Sequence, residues 1–210
     1  MLDQWFAQEV QPRLKGRAYL VRYADDFLIG FTDAEDARRV LAVLPKRFGK
    51  YGLTIHPDKT RLVPFRKPKG EGKPPETGGP ATFDFLGFTH FWARSRKGNW
   101  VLKQKTAASR FTRAVRTISQ WCRQHRHDPI KEQHTVLCQK LRGHAAYYGI
   151  TGNSPSLSRF QYEVLKVWRK WLTRRRRAWR ASWDWFRRLL ERYPVPYLRS
   201  VHSTYRSVAK

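Results

Sequence analysis

Carboxylates are scarce in this chain. Its 210 residues hold 16 Asp and Glu against 43 Lys and Arg, a formal net charge of +27. That imbalance opposes compact folding through self-repulsion and directs the chain toward a polyanionic partner. Cysteine is nearly absent, and Cys122 with Cys138 cannot form the disulfide framework of a small secreted domain. No apolar run approaches the roughly 20 residues that a spanning helix requires. The N-terminus also lacks the charged-then-apolar pattern of a secretory signal. A cytoplasmic protein with no membrane partner is expected. No internal repeat is present. Residues 66–81 lack any bulky apolar side chain and carry four prolines and four glycines, so a mobile loop is expected there.

The hydrophobic content of 40% is enough for a core, in one domain or two small ones. The charge is uneven. Residues 1–102 hold 18 basic and 11 acidic residues, whereas residues 103–210 hold 25 and 5. The second half therefore carries most of the electrostatic footprint for nucleic acid.

Two short runs rich in aromatic and branched residues, Ala18–Val21 and Phe27–Phe31, read as strands. Between them lies Tyr23-Ala24-Asp25-Asp26, which places two adjacent carboxylates at the tip of a hairpin. Thr32 to Glu35 fits a capping box with Thr32 as the cap. A helix follows, with Ala37, Val40, Leu41, Leu44 and Phe48 on one stripe, and Pro45 is expected to kink or split it. Leu53–Ile55 and Arg61–Val63 read as short strands around a His56-Pro57-Asp58 turn. A second hairpin is expected to pair 82–92 with 99–103. From Thr106 the period becomes helical, and four helices are expected. The first carries Phe111, Ile118 and Cys122; the second spans about 131–148; the third carries Leu157 to Leu172; the fourth carries Trp183 to Leu190.

Unpaired carboxylates are costly to bury, so Asp25 and Asp26 should meet water, a cation or a basic partner. Oxygen ligands on a turn suit Mg²⁺, which takes one or two carboxylates and completes its shell with water and phosphates. A plain Asp-rich turn is the simpler alternative. Phe85-Leu86-Gly87-Phe88 alternates large side chains around a glycine that would admit a second backbone. Arg169, Lys170, Arg174, Arg175, Arg176, Arg177 and Arg180 are interleaved with Trp168, Trp171 and Trp179. Arg forks pair with phosphates, and Trp either packs in a core or stacks on bases. Arg110 and Arg113 lie opposite the apolar face of the first late helix. Cys122, His125, His134 and Cys138 have a formally possible zinc spacing, although Cys122 falls on that apolar face, where a free thiol behaves as a small hydrophobe.

Four blocks in order resemble the group II intron reverse transcriptases. Leu2–Phe6 with Arg17–Asp26 is similar to the palm segment. Gly52-Leu53 to Lys59-Thr60 resembles the motif after the catalytic hairpin, and Phe85–Phe88 resembles the primer grip. Leu141-Arg142-Gly143-His144-Ala145-Ala146-Tyr147-Tyr148 resembles the maturase, or thumb, signature. The resemblance implies two-metal nucleotidyl transfer with Mg²⁺, Asp25 as the shared ligand and Asp26 as the weaker one. It further implies Tyr23, Ala24 and Phe85–Phe88 beside the primer, and Lys59 as a helper to the pyrophosphate leaving group. The thumb, including Arg110, Arg113, Arg142 and the later arginines, would grip the template–primer duplex and intron RNA.

The family's palm needs a third metal-binding Asp on a strand well before the hairpin. Only Asp3 and Glu9 precede the first strand here, and Asp3 belongs to the block just before the hairpin. Two close carboxylates repel, so the pair alone should bind metal poorly. The paired-cysteine endonuclease module of some relatives is also absent.

The expectation is therefore an α+β chain, a partial palm over 1–102 followed by a helical thumb/maturase bundle over 103–196 and a tail over 197–210. It would be the C-terminal part of an RNA-directed DNA polymerase, inactive alone. Its partners would be template and intron RNA, a DNA primer and a separately encoded N-terminal reverse-transcriptase fragment. The alternative is a non-catalytic RNA-binding maturase fragment that assists splicing.

Overall fold

A computed structural model describes residues 2–68, 81–175 and 182–203. The fold is mixed helix and strand, α+β, and divides into two compact units. The first comprises Met1–Leu86 with Arg94–Trp100, the second Gly87–Ala93 with Val101–Lys210. No helix among the described residues is long and apolar enough to cross a membrane.

In the first unit, a short helix α1 (Leu2–Trp5) continues as a widened turn over Phe6–Val10 and a tight turn over Gln11–Arg13. Strands β1 (Ala18–Tyr23) and β2 (Asp26–Phe31) pair antiparallel, from Ala18 opposite Phe31 to Tyr23 opposite Asp26. Helix α2 (Ala34–Gly49) follows. Leu2, Trp5, Phe6, Val10, Ala18, Val40 and Leu44 form this unit's core.

The cap of α2 is Asp33 rather than Thr32. The Asp33 carboxylate accepts from the amides of Glu35 (2.8 Å) and Asp36 (2.9 Å), satisfying two orphan donors of the first turn. Thr32 is engaged elsewhere: its hydroxyl accepts from the Arg17 amide at 2.9 Å, closing the β1–β2 end. Buried Asp36 accepts from the Gly16 amide at 2.9 Å. A side chain at Gly16 would place its Cβ 2.5 Å from the Thr32 hydroxyl oxygen, so only glycine fits. Pro45 does not split α2, because Val40 and Leu44 hold the helix to the core across the lost hydrogen bond.

Leu53–Ile55 and Arg61–Val63 are not strands; the only regular element there is a tight turn over Pro57–Lys59. Leu53 and Leu62 are 49% and 47% exposed, so burial does not reward an extended ladder. The loop expected over 66–81 lies outside the described residues except at 66–68 and 81.

The second hairpin is present in a longer form. Strands β3 (Phe83–Phe85), β4 (Phe88–Arg94) and β5 (Trp100–Thr106) make a sheet of order β3-β4-β5. The β3–β4 turn is Leu86-Gly87, with φ values of 49° and 78°.

In the second unit, α3 (Ala108–Gln124), α4 (Ile130–Tyr148), α5 (Ser154–Arg175) and α6 (Trp183–Arg192) form the expected helices. Their core joins Ile118, Leu137, Leu141, Leu157, Phe160, Val164, Trp168, Leu172 and Phe186. Three of its buried polar side chains, Gln133, Asn153 and Trp168, find hydrogen-bond partners inside it. The Trp168 indole donates to Gln133 Oε1 at 3.0 Å. The Asn153 amide accepts from the Thr106 backbone and donates to the Thr106 hydroxyl and the Tyr148 carbonyl, at 3.0, 2.9 and 2.9 Å.

The segment expected as a tail is not free where it is described. Leu198 is 3% exposed and belongs to the core, while the Val201 amide donates to the Gly149 carbonyl at 2.7 Å. Residues 204–210 lie outside the described residues.

Candidate functional site

The β1–β2 connection is a two-residue loop, Ala24-Asp25, closed by the Tyr23–Asp26 pair. Ala24 has φ 53°, a left-handed conformation that costs a non-glycine residue about 1–2 kcal/mol. Such outliers persist only where the surroundings impose them. Here the imposing group is Arg22. One of its terminal nitrogens donates to the Ala24 carbonyl at 3.0 Å, while the other and Nε bind the Asp3 carboxylate at 2.7 and 3.1 Å. The hydrogen bond and charge of Arg22 hold the Asp3 carboxyl below its ordinary range. Asp3 is thus a charged carboxylate ion-paired with Arg22.

Asp25 and Asp26 are both exposed, and neither forms an ion pair or side-chain hydrogen bond among the described residues. Asp25 lines an open cavity of about 370 Å³ with Asp3, Arg22, Ala24, Phe27 and Phe48 among its neighbours. Two hard carboxylate oxygens donors beside open space fit Mg²⁺ by chemistry. No third His, Cys, Asp or Glu joins them among the described residues. Exposed Tyr23 flanks the loop. Lys59 sits exposed in the 57–59 turn and does not line the cavity beside Asp25.

The Phe85–Phe88 block forms the β3–β4 turn. A Cβ at Gly87 would lie 3.1 Å from the Tyr148 hydroxyl, so the near approach at this glycine is made by Tyr148. Phe88 stacks on Tyr147 at 5.9 Å and meets Tyr148 edge-on at 5.3 Å. The Gly87 carbonyl accepts from the Ala107 amide at 2.9 Å, tying this turn to the start of α3.

The predicted RNA contacts fall on three helices. Arg110 and Arg113 are exposed on α3, Arg142 on α4, and Lys170 and Arg174 on α5. None of the five pairs with a carboxylate among the described residues. Arg169 is half-buried, its guanidinium 4.0 Å over the Trp183 ring. Trp168 is buried, and half-buried Trp171 donates to the Ser119 hydroxyl at 3.2 Å. These two indoles pack in the protein and are not available to bases. Arg176, Arg177 and Arg180 lie outside the described residues, as does the side chain of Arg175.

The zinc quartet is not assembled. Burial pushes the Cys122 thiol up to about 12, His125 sits 2.7 Å from Asp128, and His134 lies 2.9 Å from the Pro194 carbonyl. No three such ligands gather among the described residues.

Sequence reasoning missed the Arg22–Asp3 clamp and the Phe88–Tyr147 stack. Tyr147 and Tyr148 stand in the thumb-like block, but nothing local to that block points to Phe88.

Residues 1–90 match the family described as reverse transcriptase (RNA-dependent DNA polymerase). The match includes the whole β1–β2 hairpin and spans somewhat under half of the chain. It supports a reverse-transcriptase relationship, and with it nucleotidyl transfer and nucleic-acid binding in general. No curated protein matches the chain.

Proposed function

We propose that these 210 residues act as the C-terminal portion of an RNA-directed DNA polymerase of the group II intron type, with RNA template, DNA primer and intron RNA as partners in the cytoplasm. The observation that carries this reading is the β1–β2 tip: two carboxylates without ion-pair partners on a strained loop, inside the matched segment. Bound Mg²⁺ would supply activation of the primer hydroxyl and charge neutralisation at the leaving pyrophosphate. Asp25 and Asp26 would hold it. Arg22 fixes the backbone on which Asp25 is mounted, through the Ala24 carbonyl. Tyr23 and Phe85–Phe88 would position the primer, and the cations of α3, α4 and α5 would hold phosphates. The role of Lys59 as a helper to the leaving group rests on the resemblance alone.

Two carboxylates are a poor metal site by themselves, so a third Asp and the nucleotide-binding fingers would come from another segment, upstream or on a separate chain. The test is primer extension on an RNA template with Mg²⁺. The 210-residue chain alone should give none; with an N-terminal fingers–palm fragment synthesis should appear, and Asp25→Ala should remove it. Synthesis by the chain alone, or synthesis that survives Asp25→Ala, would contradict the proposal.

A second reading, a non-catalytic maturase fragment that assists intron folding, is favoured by the exposed cations of the second unit that meet no carboxylate among the described residues. It predicts RNA binding and splicing assistance that Asp25→Ala leaves intact, with no synthesis in any complementation.

A further inference from the structure

Tyr147 is 55% exposed although it sits in the middle of a packed aromatic group. Its ring lies nearly parallel to that of Phe88, with an interplanar angle of 14°, and Tyr148 meets both rings edge-on, at 4.8 Å from Tyr147. The support beneath is rigid. The Tyr148 carbonyl accepts from fully buried Asn153, which also fixes Thr106 at the end of β5. The Tyr148 hydroxyl closes against Gly87, and Gly87 is bound to Ala107. An exposed tyrosine held this way loses little side-chain entropy when a flat partner covers it.

Positive charge from α3 acts on the adjacent Tyr148. Arg110 and Arg113, one turn apart on α3, are exposed and without carboxylate partners among the described residues. Their positive charge reaches the Tyr148 hydroxyl, opposing the upward push that burial gives it. A flat exposed ring, next to a tyrosine that feels two guanidiniums without carboxylate partners among the described residues, matches a π-face joined to phosphates more closely than it matches an apolar protein surface.

We propose that Tyr147, stacked on Phe88, is the platform for one unpaired nucleobase of a nucleic-acid strand, and that Arg110 and Arg113 hold the phosphates beside that base. This rests on the nucleic-acid-binding reading above and adds a recognition mode to it: unpaired bases are preferred over duplex at this spot.

The test uses the full chain with three probes: a 12-nucleotide oligo-U RNA, the matching oligo-dT, and a blunt 12-base-pair duplex. Tyr147→Ala should weaken single-strand binding by about 5- to 150-fold, since one base–aromatic stack is worth about 1–3 kcal/mol. Tyr147→Phe should stay within about twofold of the parent, because the π-face is kept. Duplex binding and the salt slope should be unchanged in both. Arg110→Gln with Arg113→Gln should instead flatten the single-strand salt slope by about 1.4, at roughly 0.7 per phosphate. Loss on both RNA and DNA strands would assign the site to the base, and loss on RNA alone would assign it to an RNA strand.

Circular dichroism establishes folding. A folded Tyr147→Ala chain with parental single-strand affinity would overturn the stacking site alone. An equal loss on duplex would overturn it as well. A parent chain that binds no nucleic acid would overturn the nucleic-acid reading and the platform together.

Discussion

The two units treat charge in opposite ways. In the first, three of the four matched cations are paired over long sequence distances, Arg22 to Asp3, Lys15 to Glu35 and Arg47 to Glu9, and one locally, Arg39 to Asp36. What remains unmatched at the hairpin tip is negative, Asp25 and Asp26. In the second, the carboxylate contacts among the described residues are local, three residues apart: His125–Asp128, Lys166–Glu163 and Arg187–Asp184. What remains unmatched there among the described residues is mostly positive, on α3, α4 and α5. Exposed pairs contribute little stability. Their arrangement matters more for what it leaves uncompensated: a place for a cation in one unit and for a polyanion in the other.

The largest expected effect breaks the comparison on the catalytic side. In the complemented polymerase, Asp25→Ala should lower synthesis by about 100-fold or more, since it removes charge aimed at the reacting centre. Binding of the template–primer, measured at the same time, should hold.

A smaller effect separates the units by stability. Asn153→Ala leaves the Thr106 amide and the Tyr148 carbonyl without their buried partner and should destabilise the second unit by about 2–4 kcal/mol. Hydrogen exchange should rise in α3 to α5 and stay unchanged in β1, β2 and α2. Equal loss of protection in both would mean that the two units unfold as one.

The smallest effect is a pH dependence confined to the second unit. His144 stacks on Phe160 at 3.6 Å between ring centroids, and burial lowers its pKa from 6.5 to about 4. The fold favours the neutral ring, so the stability it contributes is present above about pH 6.5 and is lost as pH falls through about 4. The buried Nε2 has no hydrogen-bond partner among the described residues, so His144→Phe removes a proton site and none of the described bonds. The variant's advantage in thermal melting over the parent should grow as pH drops from 6.5 to 4. A constant difference across that range would mean that His144 does not titrate between folded and unfolded states.

The helices of the second unit were legible because apolar residues recur at helical spacing over long stretches, from Phe111 to Cys122 and from Leu157 to Leu172. The β1–β2 hairpin was legible for a similar reason, two branched and aromatic runs around an acidic turn. The cap of α2 was misplaced by one residue because Thr32 and Asp33 are both good caps, and the choice is made by Arg17, 15 residues away from Thr32. Leu53–Ile55 and Arg61–Val63 have strand-like composition but no burial to reward pairing. The Arg22–Asp3 clamp, the Phe88–Tyr147 stack and the docking of Leu198 onto Gln161 all join residues far apart in sequence. No local pattern encodes them. The carboxylate tip could be read directly, while its clamp and the base platform required the fold.

The division of labour between the units is tested most directly by a salt titration of RNA binding with three forms of the 210-residue chain. The parent should show a steep fall of affinity with salt. Asp25→Ala with Asp26→Ala should bind at least as well as the parent, with the same slope. Replacing Arg174, Arg175, Arg176 and Arg177 by Gln should weaken binding and reduce the slope by about 3 to 4 if all four meet phosphate. An unchanged slope in the folded arginine variant, together with weakened binding in the aspartate variant, would place RNA binding in the first unit and contradict that division.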